Sequence, residues 1–241
     1  AYYTILRSLL LTNKPPFKEV LINGMVLAPD GRKMSKSFGN VIEPNEPLKK
    51  YGADAIRQWA AISGALGTDR PFLWKDIIFG YRFLIKTWNI ARLIINNLQG
   101  FDIKKIEEAK LAFHPIDRWI LSNFYQLLAN VTKALNDYQF HTAILLIQQF
   151  TWNEFADYYL EMVKHRLYDP KTYGVESKVA AQFVLYTILL NLVKMLAPFT
   201  PHLSEEIYQH LIKEENFKSI HLTPWPIICE EFIDTKLEKL G

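Results

Sequence analysis

A single cysteine, Cys229, in 241 residues leaves no partner for a disulfide within the chain. That excludes a disulfide-held scaffold and fits a reducing compartment. No unbroken apolar run reaches the roughly 20 residues that a bilayer-spanning helix needs. The most apolar stretch, Phe183–Phe199, is interrupted by Asn191 and Lys194. No charged-then-apolar targeting segment opens the chain, and no internal repeat or low-complexity stretch occurs. The six histidines show no spacing with Cys or Asp that would make a metal site. The expectation is a soluble, cytoplasmic protein without membrane association.

What is present supports a sizeable core. Hydrophobic residues make up 49% and charged residues 22%, an ordinary balance for one large domain or two modest ones. Charge is unevenly spread. Residues 1–105 hold 16 Lys and Arg against 8 Asp and Glu, a net of +8, whereas residues 106–241 carry a net of −5. A basic front half asks for an anionic partner, nucleotide or nucleic acid, although a merely solvated surface would read the same way.

Apolar residues at helix spacing begin at once, with Tyr2, Tyr3, Ile5, Leu6, Leu9 and Leu10, so the chain starts in mid-element, as if cut from something longer. Phe17–Asn23 carries a short strand signal that Met25–Leu27 continues, and Pro29-Asp30-Gly31 make a turn. A polar loop follows from Arg32 to Asn40. Pro44 suits the first turn of a short helix ending near Tyr51, with Gly52 as its stop. From Ala53 the pattern is helical. Long helices are expected over Ile77–Leu98, Ile116–Leu135, Phe140–Leu167 and Val179–Leu196. Thr200 suits an N-cap with Pro201 at the first helical position, and Ser219–Pro226 reads as extended. The fold class expected is mainly α: a small α/β piece over residues 1–74, then a helical bundle over residues 75–241.

The chemistry-bearing motif is Arg32-Lys33-Met34-Ser35-Lys36-Ser37-Phe38-Gly39-Asn40. Lysines are mobile charges suited to phosphate, serines add donors, and flanking glycines let a loop approach a ligand. A specified five-residue string such as Lys33–Ser37 should occur by chance in a chain this size on the order of once in ten thousand. The string resembles the second signature of the class I aminoacyl-tRNA synthetases, and its surroundings resemble the valyl, isoleucyl, leucyl and methionyl group. Three further stretches are similar to that group: Lys50-Tyr51-Gly52-Ala53-Asp54-Ala55-Ile56-Arg57, His114-Pro115-Ile116-Asp117-Arg118-Trp119-Ile120-Leu121, and the helix junction from Leu196 to Tyr208. Ser63–Asp69 before Phe72, and Gly80-Tyr81-Arg82-Phe83 before Trp88-Asn89, resemble the valyl branch. Pro15-Pro16-Phe17-Lys18 and Trp225-Pro226 are shared with the isoleucyl branch, which stays open as an alternative. So does a stand-alone, non-catalytic RNA-binding helical module.

The resemblance implies a fold and a set of roles. Residues 1–74 would be the end of a class I catalytic core with its stem-contact region, and residues 75–241 an α-helical anticodon-binding domain. The substrates implied are ATP, with Mg²⁺ arriving on it, valine and a valine-accepting tRNA. Lys33 and Lys36 would approach the triphosphate. Met34, Ser35 and Ser37 would belong to the same ATP site, with the serines either donating to phosphate or fixing the loop. Met34 and Phe38 would anchor the loop on apolar surface, and Gly39 and Asn40 would serve its turn. Arg82, Lys86 and Arg92 would meet tRNA or form a solvated face, with Trp88, Trp119, Trp152 and Trp225 in the core. Glu154 and Asp157 sit among aromatics with nothing pairing them into an acid/base couple. The first class I signature, of His-x-Gly-His type, is not in the chain. The nucleotide-binding half, the amino-acid pocket and the editing domain are therefore expected upstream of Ala1, and these 241 residues alone are expected to be inactive.

Overall fold

Parallel pairing of two very short strands organises the front of the chain. The computed structural model describes residues 2–102, 110–211 and 217–234, which form two compact units: residues 1–41 with 64–72, and residues 42–63 with 73–241. Residues 42–63, grouped above with the front piece, thus fold within the helical unit. The last seven residues of the expected bundle lie outside the described residues.

In the first unit, α1 (Tyr2–Thr12) buries none of its residues. β1 (Val26–Leu27) runs parallel to β2 (Arg70–Pro71), with Val26 opposite Arg70 and Leu27 opposite Pro71. Asp69 Oδ1 accepts the Met25 N–H at 2.7 Å and holds the register. Gly24 makes this approach possible: a Cβ there would stand 2.0 Å from the Thr68 carbonyl oxygen. The strand signal over Phe17–Asn23 is not realised. That stretch has no regular structure, and Val20, Leu21 and Ile22 are exposed. Alternation alone makes no strand without a neighbour to take its hydrogen bonds.

The second unit is helical. Its elements are α2 (Asn45–Tyr51), α3 (Ala53–Ile62), α4 (Trp74–Asn97), α5 (Pro115–Asn136), α6 (Phe140–Gln149), α7 (Glu161–Tyr168), α8 (Pro170–Tyr173), α9 (Val175–Leu196) and α10 (Pro201–His210). Gly52, at φ +80°, lets the chain turn between α2 and α3. The helix expected over Phe140–Leu167 is present, but Phe150–Leu160 within it is π-helical. After α10 the expected extended tail begins instead as a 3₁₀ turn, Ile220–Leu222, with Ser219 Oγ accepting the His221 N–H.

α9 is the core helix. It is long and apolar enough to cross a membrane by composition, yet 72% of that window is buried by its neighbours. Val184, Leu185, Ile188 and Leu189 meet Phe124, Leu128, Ile144, Phe155 and Tyr159 in one continuous core. Two polar devices fix this packing. In the first, Asp117 in the opening turn of α5 accepts the His114 N–H at 2.8 Å and so caps its own helix. The same carboxylate takes a two-pronged contact from Arg166 of α7, at 2.8 and 2.9 Å, and the Tyr159 hydroxyl at 2.6 Å. Side-chain exposures are 0% for Asp117 and 1% for Arg166, so the pair is fully desolvated. Burial and the neighbouring carboxylate push the Tyr159 phenol well above its ordinary range.

The second device joins α3 to the α9–α10 junction. Thr200 occupies the expected N-cap position, but its hydroxyl donates back to the Leu196 carbonyl at 3.3 Å. The free N–H groups of α10 are met by Asp54 of α3, which accepts Leu203 N–H at 2.7 Å and His202 N–H at 3.4 Å. One helical turn on, Arg57 donates to the Pro198 and Phe199 carbonyls at 2.9 and 3.3 Å.

Candidate functional site

The lysine-serine loop is built by a tight turn at each end. Ala28–Gly31 form the first: Gly31 N–H donates to Ala28 O and Ala28 N–H to Arg32 O, both at 2.8 Å. Asp30 accepts Arg32 Nε at 2.7 Å, and that guanidinium holds the Asp30 carboxyl below its usual range. Leu27 then bridges Lys33 in antiparallel fashion, so the loop springs directly from the strand end. At the far end Lys36–Phe38 make a 3₁₀ turn closed by Gly39 at φ +64°. Asn40 ties the two ends together, its Oδ1 accepting Ser35 N–H at 2.9 Å and its Nδ2 donating to Lys33 O at 3.2 Å.

Lys33, Met34, Ser35, Lys36 and Ser37 therefore share one braced loop. Both lysines are exposed, and neither has an ion-pair partner among the described residues. Ser35 and Ser37 are joined by a hydroxyl–hydroxyl hydrogen bond of 2.8 Å. Met34 is half-buried, but Phe38 is 67% exposed, with the Arg32 guanidinium 5.9 Å from its ring. Phe38 is thus no apolar anchor here; the anchor is Asn40, a polar clamp.

On α4 the basic residues fall out differently. Arg82 and Arg92 are exposed, about 15 Å apart along the axis. Lys86 is engaged: its Nζ lies 2.7 Å from Asp157 and 4.2 Å above the Trp152 ring, which itself stacks on Phe79. Trp88, Trp119, Trp152 and Trp225 are half-buried against the core, and Trp225 Nε1 donates to Thr132 at 2.9 Å.

A second concave feature was not expected from the sequence. α5, α6 and the π-helical segment enclose a cleft of about 920 Å³ whose lining includes Trp119, Asn123, Gln126, Phe150, Glu154 and Tyr158. Asn123 Nδ2 donates to Glu154 Oε2 at 3.0 Å. Burial raises the Glu154 carboxyl above its ordinary value, with that hydrogen bond working against the rise. The signal was legible in principle: Trp119, Asn123, Gln126 and Asn130 follow each other at spacings of four, three and four, which puts one indole and three amides on one face of α5. Among the described residues no group of three or more His, Cys, Asp or Glu is placed to hold a metal ion.

Residues 117–240 match the model of the anticodon-binding domain of tRNA ligase, and residues 1–71 match that of the class I tRNA synthetases for I, L, M and V. Among similar proteins, the valine–tRNA ligase of Pyrococcus furiosus is 45% identical over 242 residues, and that of Methanosarcina barkeri 48% identical over 244. Both alignments take in the whole chain but only 26% and 27% of those proteins, so the chain spans about a quarter of its relatives' length. A solved leucyl enzyme from Agrobacterium radiobacter K84, in a ternary complex with tRNA and LeuAMS, shares the fold. Its TM-score is 0.68 at 23% identity, over 97% of this chain and 27% of that one.

Proposed function

The chain belongs to the class I tRNA synthetases whose helical part is the anticodon-binding domain of tRNA ligases, and from that premise we propose that it is the C-terminal part of a valine–tRNA ligase acting in the cytoplasm. In the reaction proposed, the carboxylate of valine attacks the α-phosphorus of ATP, which arrives with Mg²⁺. The bond to the bridging oxygen breaks and pyrophosphate leaves. The valyl-adenylate then esterifies the tRNA and releases AMP. Catalysis of the first step is positioning plus stabilisation of charge on phosphate. The observation that carries this reading is the braced loop with two exposed ammonium groups that have no ion-pair partner among the described residues. Lys36 meets the charge that develops on the departing pyrophosphate, and Lys33 the ground-state triphosphate. Ser35 and Ser37, by bonding each other, fix the loop between them.

The helical unit takes the anticodon arm of the tRNA, with Arg82 and Arg92 on backbone phosphates. Lys86 joins them once it leaves Asp157. With so few phosphates neutralised, the log–log salt slope of binding is shallow, about −2 for three contacts at roughly 0.7 each.

The test is Lys36→Ala in the full-length ligase. Single-turnover adenylate formation should slow about 10²–10³-fold with valine affinity unchanged, because the lost contact exists only in the transition state. An unchanged rate removes Lys36 from the mechanism. Isoleucine-dependent rather than valine-dependent pyrophosphate exchange would move the assignment to the isoleucyl branch.

A further inference from the structure

We propose that the cleft between α5, α6 and the π-helical segment is a binding site for a small organic cation, an alkylammonium group on an apolar body, seated against the Glu154 carboxylate. The inference goes beyond the tRNA reading and does not depend on it. At about 920 Å³ the cleft lies in the size range of small-molecule sites. Leu127, Leu146, Phe150 and Met162 give it apolar walls that suit a hydrocarbon body. Among the described residues Glu154 is the one charged group of the lining, with no Lys, Arg or His in it. A bound anion would find no counter-charge there, and the carboxylate of a zwitterionic amino acid would be left unpaired against apolar walls.

The two carboxylates of the π-helical segment are treated differently. Asp157 is matched by Lys86 Nζ at 2.7 Å, whereas Glu154 has no ion-pair partner among the described residues. Glu154 instead accepts a neutral hydrogen bond from Asn123 Nδ2 at 3.0 Å, which occupies Oε2. Glu154 Oε1 and Asn123 Oδ1 remain as acceptors, and a primary ammonium has N–H donors for both. Burial lifts the Glu154 carboxyl above its ordinary value, so its charged form lacks solvation that a bound cation would replace. The rings decide which cation. Trp119 and Tyr158, the latter 56% exposed, line the same cleft, and an aromatic face attracts an ammonium once water is displaced. Tyr158 follows Glu154 by four residues, just under one turn of an i→i+5 helix, so ring and carboxylate share a wall. A divalent metal is the poorer occupant. It asks for about six oxygen ligands, and no group of three or more His, Cys, Asp or Glu gathers among the described residues.

The experiment titrates the 241-residue chain with phenethylamine, calorimetry giving the affinity and the NMR shifts of the Asn123 side-chain amide giving the place. Two analogues keep the same body: phenethyl alcohol removes the charge, and phenylalanine adds a carboxylate to it. The amine should bind with a dissociation constant of about 1 mM or below, as expected of a ligand so small. The alcohol should bind about 10- to 100-fold more weakly, the range for hydrogen bonds to a charged group, and phenylalanine no better than the alcohol. In Glu154→Gln the side-chain oxygen can still accept from Asn123, so the fold is kept while the charge goes. The amine should then bind no better than the alcohol, whose own affinity stays put. Tyr158→Leu alters an exposed ring and should weaken the amine about 2- to 5-fold more than the alcohol, which keeps the test open should the glutamine disturb folding. A thermal melt of each variant verifies that it folds. Equal affinity for amine and alcohol, amine binding untouched by Glu154→Gln, or no amine binding up to about 10 mM overturns the cation site and leaves the tRNA reading as it was.

Discussion

Removing the Asp117 carboxylate should be among the most damaging single changes available to this protein. In Asp117→Ala, Arg166 keeps its bonds to Ser177 Oγ and Ser177 O, both at 2.8 Å, but loses the only carboxylate that faces it among the described residues. The guanidinium stays 1% exposed, so water cannot replace the partner without opening the bundle. The Tyr159 hydroxyl and the His114 N–H lose their acceptor as well. Breaking a buried pair from one side costs about 3–5 kcal/mol, chiefly because the surviving charge is uncompensated. Taken as about 4 kcal/mol, and at about 2–4 °C per kcal/mol for a chain of this size, the melting temperature should fall by about 8–16 °C. Calorimetry on the purified chain reads this directly, and urea midpoints by circular dichroism give an independent value. The double variant Asp117→Leu with Arg166→Met should recover most of the loss, since two apolar groups leave no orphaned charge. A drop smaller than about 3 °C for Asp117→Ala, or no recovery in the double variant, would refute the reasoning.

Three further outcomes are expected. Asp54→Ala strips α10 of its N-cap and should cost about 1–2 kcal/mol by urea unfolding, with Asp54→Asn retaining most of it. Asn40→Ala releases both ends of the lysine-serine loop, so trypsin should cut after Lys33 and Lys36 markedly faster while the melting temperature barely moves; equal cleavage rates would deny the clamp its role. Glu154→Gln should raise stability at neutral pH, because the Glu154 carboxyl is lifted above its ordinary 4.5. The sign follows from linkage: a raised carboxyl favours the fold while protonated, and that contribution disappears as pH climbs through the folded value. The variant's advantage in melting temperature should therefore shrink as pH falls from neutral towards 4.5 and be gone below it, and an advantage independent of pH would contradict it.

The helices and the loop motif were legible because both are local. Apolar spacing along Ile116–Leu135 and Val179–Leu196 reports the buried face directly, and the Lys33–Ser37 string needs no tertiary information. What escaped depends on partners far along the chain. Val20 and Ile22 alternate like a strand, but the pairing is decided by residues 70 and 71, and it admits only Val26 and Leu27. Thr200 looks like a cap by position, yet the carboxylate that serves is 148 residues upstream of His202. Lys86 reads as a free cation until the π-helical segment brings Asp157 and Trp152 against it. The cleft needed three elements at once. Its amide stripe on α5 was visible, but nothing local told whether those amides face water or a partner.

The reach of α3 across the sequence bears on the order in which the helical unit assembles. α10 has ten residues, too few to persist alone in water, and the groups that start it arrive with Asp54 while Arg57 secures the two carbonyls just before it. Synthesis from the amino end delivers α3 roughly 145 residues ahead of its client, with an acceptor and a donor waiting a helical turn apart. Closing so long a loop is entropically slow, although each doubling of length adds only about 0.6 kcal/mol. The α9–α10 corner is therefore expected to lock late, after the core around α9 has collapsed. Protection of the His202 and Leu203 amides in hydrogen exchange should appear together with that of α3, as one cooperative event rather than as the growth of a local helix.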